Sequence, residues 1–260
     1  MTRNVWVGTS WKMTKTLAEA TDFVDQLNLA SVPEGVQPFV LPAHTALATV
    51  RDRLHVDSPV LLGAQNAHWA NEGAGTGEIS MRMAADAGAR IIEMGHSERR
   101  AAFGETDETV AAKAAAASAY GLIPLICVGE PESVRSDGQA EAFIEDQVRR
   151  ALARLAVVEV EGALIAYEPI WAIGEHGRPA SPTEIAPVMS LITDVVADLT
   201  DGSRARAVLY GGSVGPDNTA ELLADPHTDG LFVGRAAWTA SGYLDLLERA
   251  AASAAVSTPS

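Results

Sequence analysis

Eight short apolar runs of β type recur along this chain, and longer amphipathic segments separate them. The runs are Val5–Val7, Phe39–Leu41, Val60–Ala64, Arg90–Met94, Ile123–Val128, Ala163–Tyr167, Ala207–Tyr210 and Gly230–Gly234. Helical spacing appears between them. In 16–29, Leu17, Phe23, Val24 and Leu27 share one face, and in 139–156 Phe143, Ile144, Val148, Leu152 and Leu155 do the same. The alanine-rich segment 106–120 opens on Thr106, Glu108 and Thr109, a suitable helix start. Segments 182–199 and 242–251 also fit helices. Strand–helix units repeated in series indicate a parallel sheet of the α/β class. No linker-like break divides the chain, so closure into a single (β/α)8 barrel over residues 1–250 is favoured over two doubly wound halves. Residues 251–260, rich in Ala, Ser and Pro, read as a frayed tail.

With 260 residues, 47% of them hydrophobic, the chain can fill one large core. Its net charge of −15 argues against nucleic acid or an anionic membrane surface as a partner. A small anionic substrate is still possible, because local cations and backbone N–H groups can bind it. No run is long enough to span a membrane, and no signal-peptide core is visible at the start. A lone cysteine, Cys127, cannot form an intramolecular disulfide and suits a cytoplasmic protein. It reads as an inert core thiol.

The chemistry-bearing residues fall where strands end. In AYEPIWAIG, Ala166–Gly174, Glu168 follows a buried run, and Pro169 stops the strand immediately after it. In IIEMGHSERR, Ile91–Arg100, Gly95 lets the chain turn. His96 then sits near a helical N-terminus, which disfavours its cationic form. In VWVGTSWKM, Val5–Met13, Lys12 occupies the same kind of place. The other lysines, Lys15 and Lys113, read as solvated. The loops leaving strand ends build the sites of parallel α/β proteins. A base, an electrophile and a cation placed there suit proton transfer beside an anion. YGGSV at Tyr210–Val214 and LFVGR at Leu231–Arg235 end the last two runs, the usual place for a phosphate. Pro169 and Pro179 bracket an apolar loop tip of Ile170, Trp171, Ala172, Ile173 and Gly174, a composition that fits a closing lid. His44, His55, His68, His176 and His227 show no metal-ligand spacing, so neither a metal nor any other cofactor is expected.

From GTSWKM to VGRAAW the chain resembles the triosephosphate isomerase family, whose fold is the (β/α)8 barrel. The resemblance implies Glu168 as catalytic base, His96 as neutral electrophile and Lys12 as the cation facing substrate and phosphate, paired with Glu98. It implies Gly174, Ser213 and Gly234 as phosphate-binding positions. Residues 63–80 resemble the loop that inserts into a partner subunit, with Thr76 reaching the neighbouring site. A homodimer or larger homo-oligomer acting on a small phosphorylated sugar follows.

The chain also departs from the family. Ser10 stands where the family has Asn, Arg235 where it has a second glycine, and Gly75 where it has a bulky aromatic residue. The lid, 174–181, is one residue longer and lacks the TGKTAT pattern. Together with HWA at His68–Ala70 these features look like the branch acting on erythrulose phosphate. That ketose phosphate is dihydroxyacetone phosphate with one hydrogen replaced by CH₂OH, and Ser10 in place of Asn supplies room for it. The expected reaction converts L-erythrulose 1-phosphate to D-erythrulose 4-phosphate through an enediolate. Interconversion of dihydroxyacetone phosphate and glyceraldehyde 3-phosphate, as in glycolysis, is the alternative. An aldolase with a Schiff-base lysine is disfavoured because the sixth run carries no lysine. A binding barrel without catalysis would need no base.

Overall fold

A computed structural model describes residues 4–174 and 177–256. Glu175 and His176 of the expected lid, and residues 257–260 of the expected tail, lie outside them. Eight parallel strands close in sequence order: β1 Val5–Ser10, β2 Val36–Leu41, β3 Leu61–Ala64, β4 Ile91–Met94, β5 Ile123–Val128, β6 Leu164–Tyr167, β7 Ala207–Tyr210 and β8 Gly230–Val233. The sheet shuts where β1 pairs with β8, Trp6 opposite Gly230 and Thr9 opposite Val233. Every anticipated run is a strand, with ends displaced by a few residues at most.

Alternation along the strands divides the core into two apolar layers. Trp6, Phe39, Leu41, Ile91, Leu125, Leu164, Leu209 and Phe232 point inward and fill the barrel. Val7, Val40, Ile92, Met94, Ile126, Ile165 and Val208 point outward and meet the helices. Both faces are covered, which is why these strands read as unbroken apolar runs.

The helices are α1 Leu17–Leu29, α2 His44–Arg53, α3 Met81–Asp86, α4 Ser97–Phe103, α5 Asp107–Ala119, α6 Glu132–Ser136, α7 Ala140–Leu152, α8 Val157–Glu161, α9 Pro182–Leu199, α10 Thr219–Leu223 and α11 Ala240–Val256. Thr16 caps α1 by accepting from the Glu19 amide at 3.4 Å, while Thr16 N donates to Glu19 Oε2 at 2.7 Å. A cap of this kind contributes about 1 kcal/mol. Ile144, Val148 and Leu152 bury the inner face of α7, and Ile185, Met189, Ile192 and Val196 that of α9.

Several expectations need correction. Leu17 and Phe143 lie on the rims of their helices, 51% and 37% exposed. The last helix continues to Val256, so a boundary at residue 250 falls inside it. Lys113 is not solvated. It is buried on α5, with Nζ donating to Glu105 Oε1 and to Asn66 Oδ1, each at 2.8 Å. Lys15 is not free either. Its ammonium donates to the Trp238 carbonyl and lies over the rings of Trp11 and Phe23. Burial lowers its pKa, with Glu19 opposing.

Candidate active site

At the carboxyl ends of the strands, a cavity of about 460 Å³ gathers Ser10, Lys12, His96, Glu98, Glu168, Ala172, Ile173, Gly174, Ser213, Gly234 and Arg235. These come from loops spread over the whole chain. Barrel closure is what brings them together.

Glu168 is the first residue after β6. Its amide donates to the Val128 carbonyl at 2.7 Å, and its side chain is almost wholly buried. One oxygen, Oε2, has no hydrogen-bond partner among the described residues and lies 3.6 Å from His96 Nε2. The backbone must pass close by on two sides. A Cβ at Gly129 would stand 1.9 Å from the Glu168 carbonyl oxygen, and one at Gly211 would stand 2.7 Å from its Cγ. Glycine is required at both positions for this carboxylate to sit where it does.

His96 precedes α4 as its N-cap, and its Nδ1 accepts from the Glu98 amide at 3.1 Å. That bond assigns the proton of the neutral ring to Nε2, the nitrogen facing Glu168. The helix start therefore orients the imidazole as an N–H donor into the cavity.

Lys12 follows β1 in a left-handed backbone conformation, φ 52°. A non-glycine residue there is strained by roughly 1–3 kcal/mol. Gln65 Nε2 steadies it by donating to the Lys12 carbonyl at 3.0 Å. Lys12 Nζ donates to Glu98 Oε1 at 2.6 Å. Burial raises the pKa of Glu98, but the hydrogen bond from Lys12 and its charge act against burial, and the net shift is downward. Glu98 thus stays ionised and fixes the ammonium at the cavity mouth.

Ser10 ends β1. Its carbonyl accepts from Trp238 Nε1 at 3.0 Å, and its hydroxyl donates to Glu93 Oε2 at 2.9 Å. Glu93 lies inside β4, buried, and burial pushes its carboxyl up to about 7. Sequence reasoning passed over it. The available signal was a carboxylate within an otherwise apolar strand. Cys127 is buried as expected, and its thiol is raised well above the usual range by burial and by the nearby Glu168 and Glu93.

The expected lid begins at Pro169, and Ile170–Ala172 form a 3₁₀ turn. Pro169, Ile170 and Trp171 do not line the cavity. Trp171 instead turns onto Glu130, to which its Nε1 donates at 2.8 Å, and the guanidinium groups of Arg135 and Arg178 lie 4.6 and 4.1 Å from its ring. Tyr167 donates to the same Glu130 oxygen at 3.1 Å. Glu130, also absent from the sequence reading, holds the start of this segment through Tyr167 and Trp171. At the other end of the apolar tip, Gly174 has φ +83°, and its carbonyl accepts from Arg235 Nη2 at 2.7 Å. Arg235 thereby ties this segment to the loop after β8. Thr76 is exposed on the 63–80 loop and does not line the cavity of its own chain. Trp69 of that loop is 42% exposed and stacks on His68, ring centroids 4.1 Å apart.

A carboxylate with an unpaired oxygen, an imidazole N–H donor and a fixed ammonium converge on one cavity. Such a set can remove a proton beside a carbonyl and stabilise the oxyanion that forms. The sequence model of the triosephosphate isomerase family matches residues 5–250. The chain belongs to the triosephosphate isomerase family. Within it, the chain is 51% identical to the L-erythrulose-1-phosphate isomerase of Mycolicibacterium smegmatis over 251 residues, 95% of this chain and 94% of that one. It is 50% identical over 250 residues to the protein of that name from Mesorhizobium japonicum, covering 95% and 97%. It is 49% identical over 250 residues to the one from Rhizobium meliloti, again covering 95% and 97%. No helix among the described residues is long and apolar enough to cross a membrane.

Proposed function

We propose that this chain is a sugar-phosphate isomerase whose substrate is an erythrulose phosphate, converting L-erythrulose 1-phosphate to D-erythrulose 4-phosphate. The observation that carries the chemistry is the unpaired Glu168 Oε2, buried and 3.6 Å from His96 Nε2. The phosphate is held by backbone N–H groups around Ser213 and Gly234 and by the lid tip at Gly174. Glu168 removes the proton from the carbon next to the carbonyl. The electron pair forms the enediolate, whose oxygens are stabilised by His96 Nε2–H and Lys12. Glu168 then returns the proton to the former carbonyl carbon, and a proton passes between the two oxygens, so the carbonyl moves by one carbon and nothing is gained or lost. Lid closure excludes water and limits loss of phosphate from the intermediate.

The identities near one-half with relatives named for erythrulose phosphate support the four-carbon substrate. Ser10 supports it too, because its side chain is shorter than Asn in the cavity it lines together with His96. The same base, electrophile and cation would serve a triose phosphate, which is the second reading. We further propose a cytoplasmic homodimer or larger homo-oligomer in which Thr76 of one copy reaches the site of another. The exposed Trp69 supports that arrangement. Purified protein assayed side by side on erythrulose phosphates and triose phosphates tests the substrate. Preference for the tetrulose is expected. Near diffusion-limited turnover of triose phosphate with none of the tetrulose would refute it.

A further inference from the structure

We propose that Glu93, held by Ser10, is a specificity-determining residue whose carboxyl receives the terminal hydroxyl of the four-carbon substrate. The inference rests on the sugar-phosphate isomerase reading above and deepens it by assigning the group that measures chain length.

The position of Glu93 is the first observation. Ile91 points into the barrel, Ile92 and Met94 point out, and Glu93 shares the inward face. Its inward neighbours on β5 and β6 are Leu125, Cys127, Leu164 and Ala166. It is the only carboxylate on the inward face of the described strands. An apolar side chain would complete that layer without placing an ionisable group out of water.

The second observation is what Glu93 touches. Ser10 Oγ donates to Oε2 at 2.9 Å and is its one hydrogen-bond partner among the described residues. A carboxyl can hold more than that. Its burial raises the carboxyl to about 7, with Glu168 adding to the rise and His96, Ser10 and Lys12 opposing it. Near neutrality the acid and carboxylate forms are both populated. A hydroxyl can accept from the first and donate to the second.

The third observation is the shape of the surrounding space. A second cavity shares Ser10, Lys12, His96 and Glu98 with the site and extends toward Gln65 and Asn66, with Glu93 in its wall. Neither the lid nor the loops after β7 and β8 line it. In the proposed pose the phosphate lies at Ser213 and Gly234 and the reacting carbons between Glu168 and His96, so the far end turns toward the inner part of this cavity, at Ser10 and Glu93. In an erythrulose 1-phosphate that far end is the CH₂OH group. A triose phosphate stops one carbon short and leaves Glu93 with Ser10 alone.

The test uses two ligands that cannot isomerise, erythritol 4-phosphate and glycerol 3-phosphate, together with turnover of the two ketose phosphates. The parent protein should bind the four-carbon ligand more tightly by calorimetry. In Glu93→Leu that preference should collapse, and the kcat/KM ratio of tetrulose to triose phosphate should fall about 10- to 200-fold. Glu93→Gln, nearly isosteric and still able to bond a hydroxyl, should retain most of both preferences. Melting curves establish that each variant is folded. Equal losses for both ligands in Glu93→Leu, or unchanged ratios, would overturn the assignment. A parent that prefers erythritol 4-phosphate yet isomerises neither sugar would sink the isomerase reading and leave the subsite standing. A parent that isomerises both sugars without distinguishing the ligands would do the reverse.

Discussion

Glu93 makes the stability of this protein depend on pH in a direction opposite to most carboxylates. Its pKa rises from the ordinary 4.5 to about 7, first because it is buried and then because Glu168 is near. His96, Ser10 and Lys12 face it and hold the rise down without cancelling it. Between those two values the unfolded chain gives up the proton while the folded chain keeps it. The native state then binds more protons, so stability falls as pH rises and levels off above about 7. The full penalty for a shift of this size, at about 1.4 kcal/mol per unit, is on the order of 3 kcal/mol. Glu93→Gln keeps the shape and removes the charge. The variant should match its parent near pH 4, and its relative stability should grow by about 2 to 3 kcal/mol between pH 5 and pH 8. Urea unfolding of both proteins across that range, at one fixed protomer concentration, measures the difference directly. Titrating groups that do not face Glu93 are common to the two proteins and cancel. Parallel stability curves would refute the reasoning, because they would mean that Glu93 ionises alike in both states.

Four further outcomes follow from the same geometry. Glu168→Asp should fold normally and lose roughly 100-fold in kcat, since it withdraws the carboxylate by about 1 Å; near-parental kcat would remove Glu168 from the role of base. Sedimentation equilibrium at micromolar concentration should show a dimer or larger, and a lone species of 27.2 kDa would contradict the proposed assembly. Ser10→Asn should lower kcat/KM for the tetrulose more than for the triose phosphate, shifting the ratio about 10- to 200-fold, with the lower end expected because Arg235 and the lid share the pocket. Lys113→Met should destabilise by about 3 to 5 kcal/mol in denaturant titrations, because it breaks a buried ion pair at Glu105; a loss under 1 kcal/mol would return Lys113 to the surface.

What the sequence disclosed was what depends on neighbours along the chain. Strands covered on both faces are short apolar runs, so all eight were legible to within a few residues. Helices α7 and α9 carry long periodic faces and were equally plain. Helices α6, α8 and α10 have five residues each, too few for a period to register, and α4 buries none of its residues, so no apolar stripe marks it. Glu168 and His96 were readable because Pro169 and Gly95 punctuate the chain beside them. Lys113 misled because the small side chains of α5 give almost no contrast between its inner and outer faces.

Glu93 escaped for a different reason. Alternation alone turns it inward, but its meaning depends on Ser10, 83 residues away on a strand that is not its neighbour in the sheet. Only closure of the barrel brings β1 and β4 to face each other across the interior. Glu130 escaped for a related reason, since its contact with Trp171 joins the ends of neighbouring strands β5 and β6 that lie 41 residues apart along the chain. Groups that do chemistry at a strand end announce themselves by where the strand stops. A group such as Glu93, whose partner Ser10 lies across the barrel, leaves no such mark, because spacing along the chain carries no signal for it.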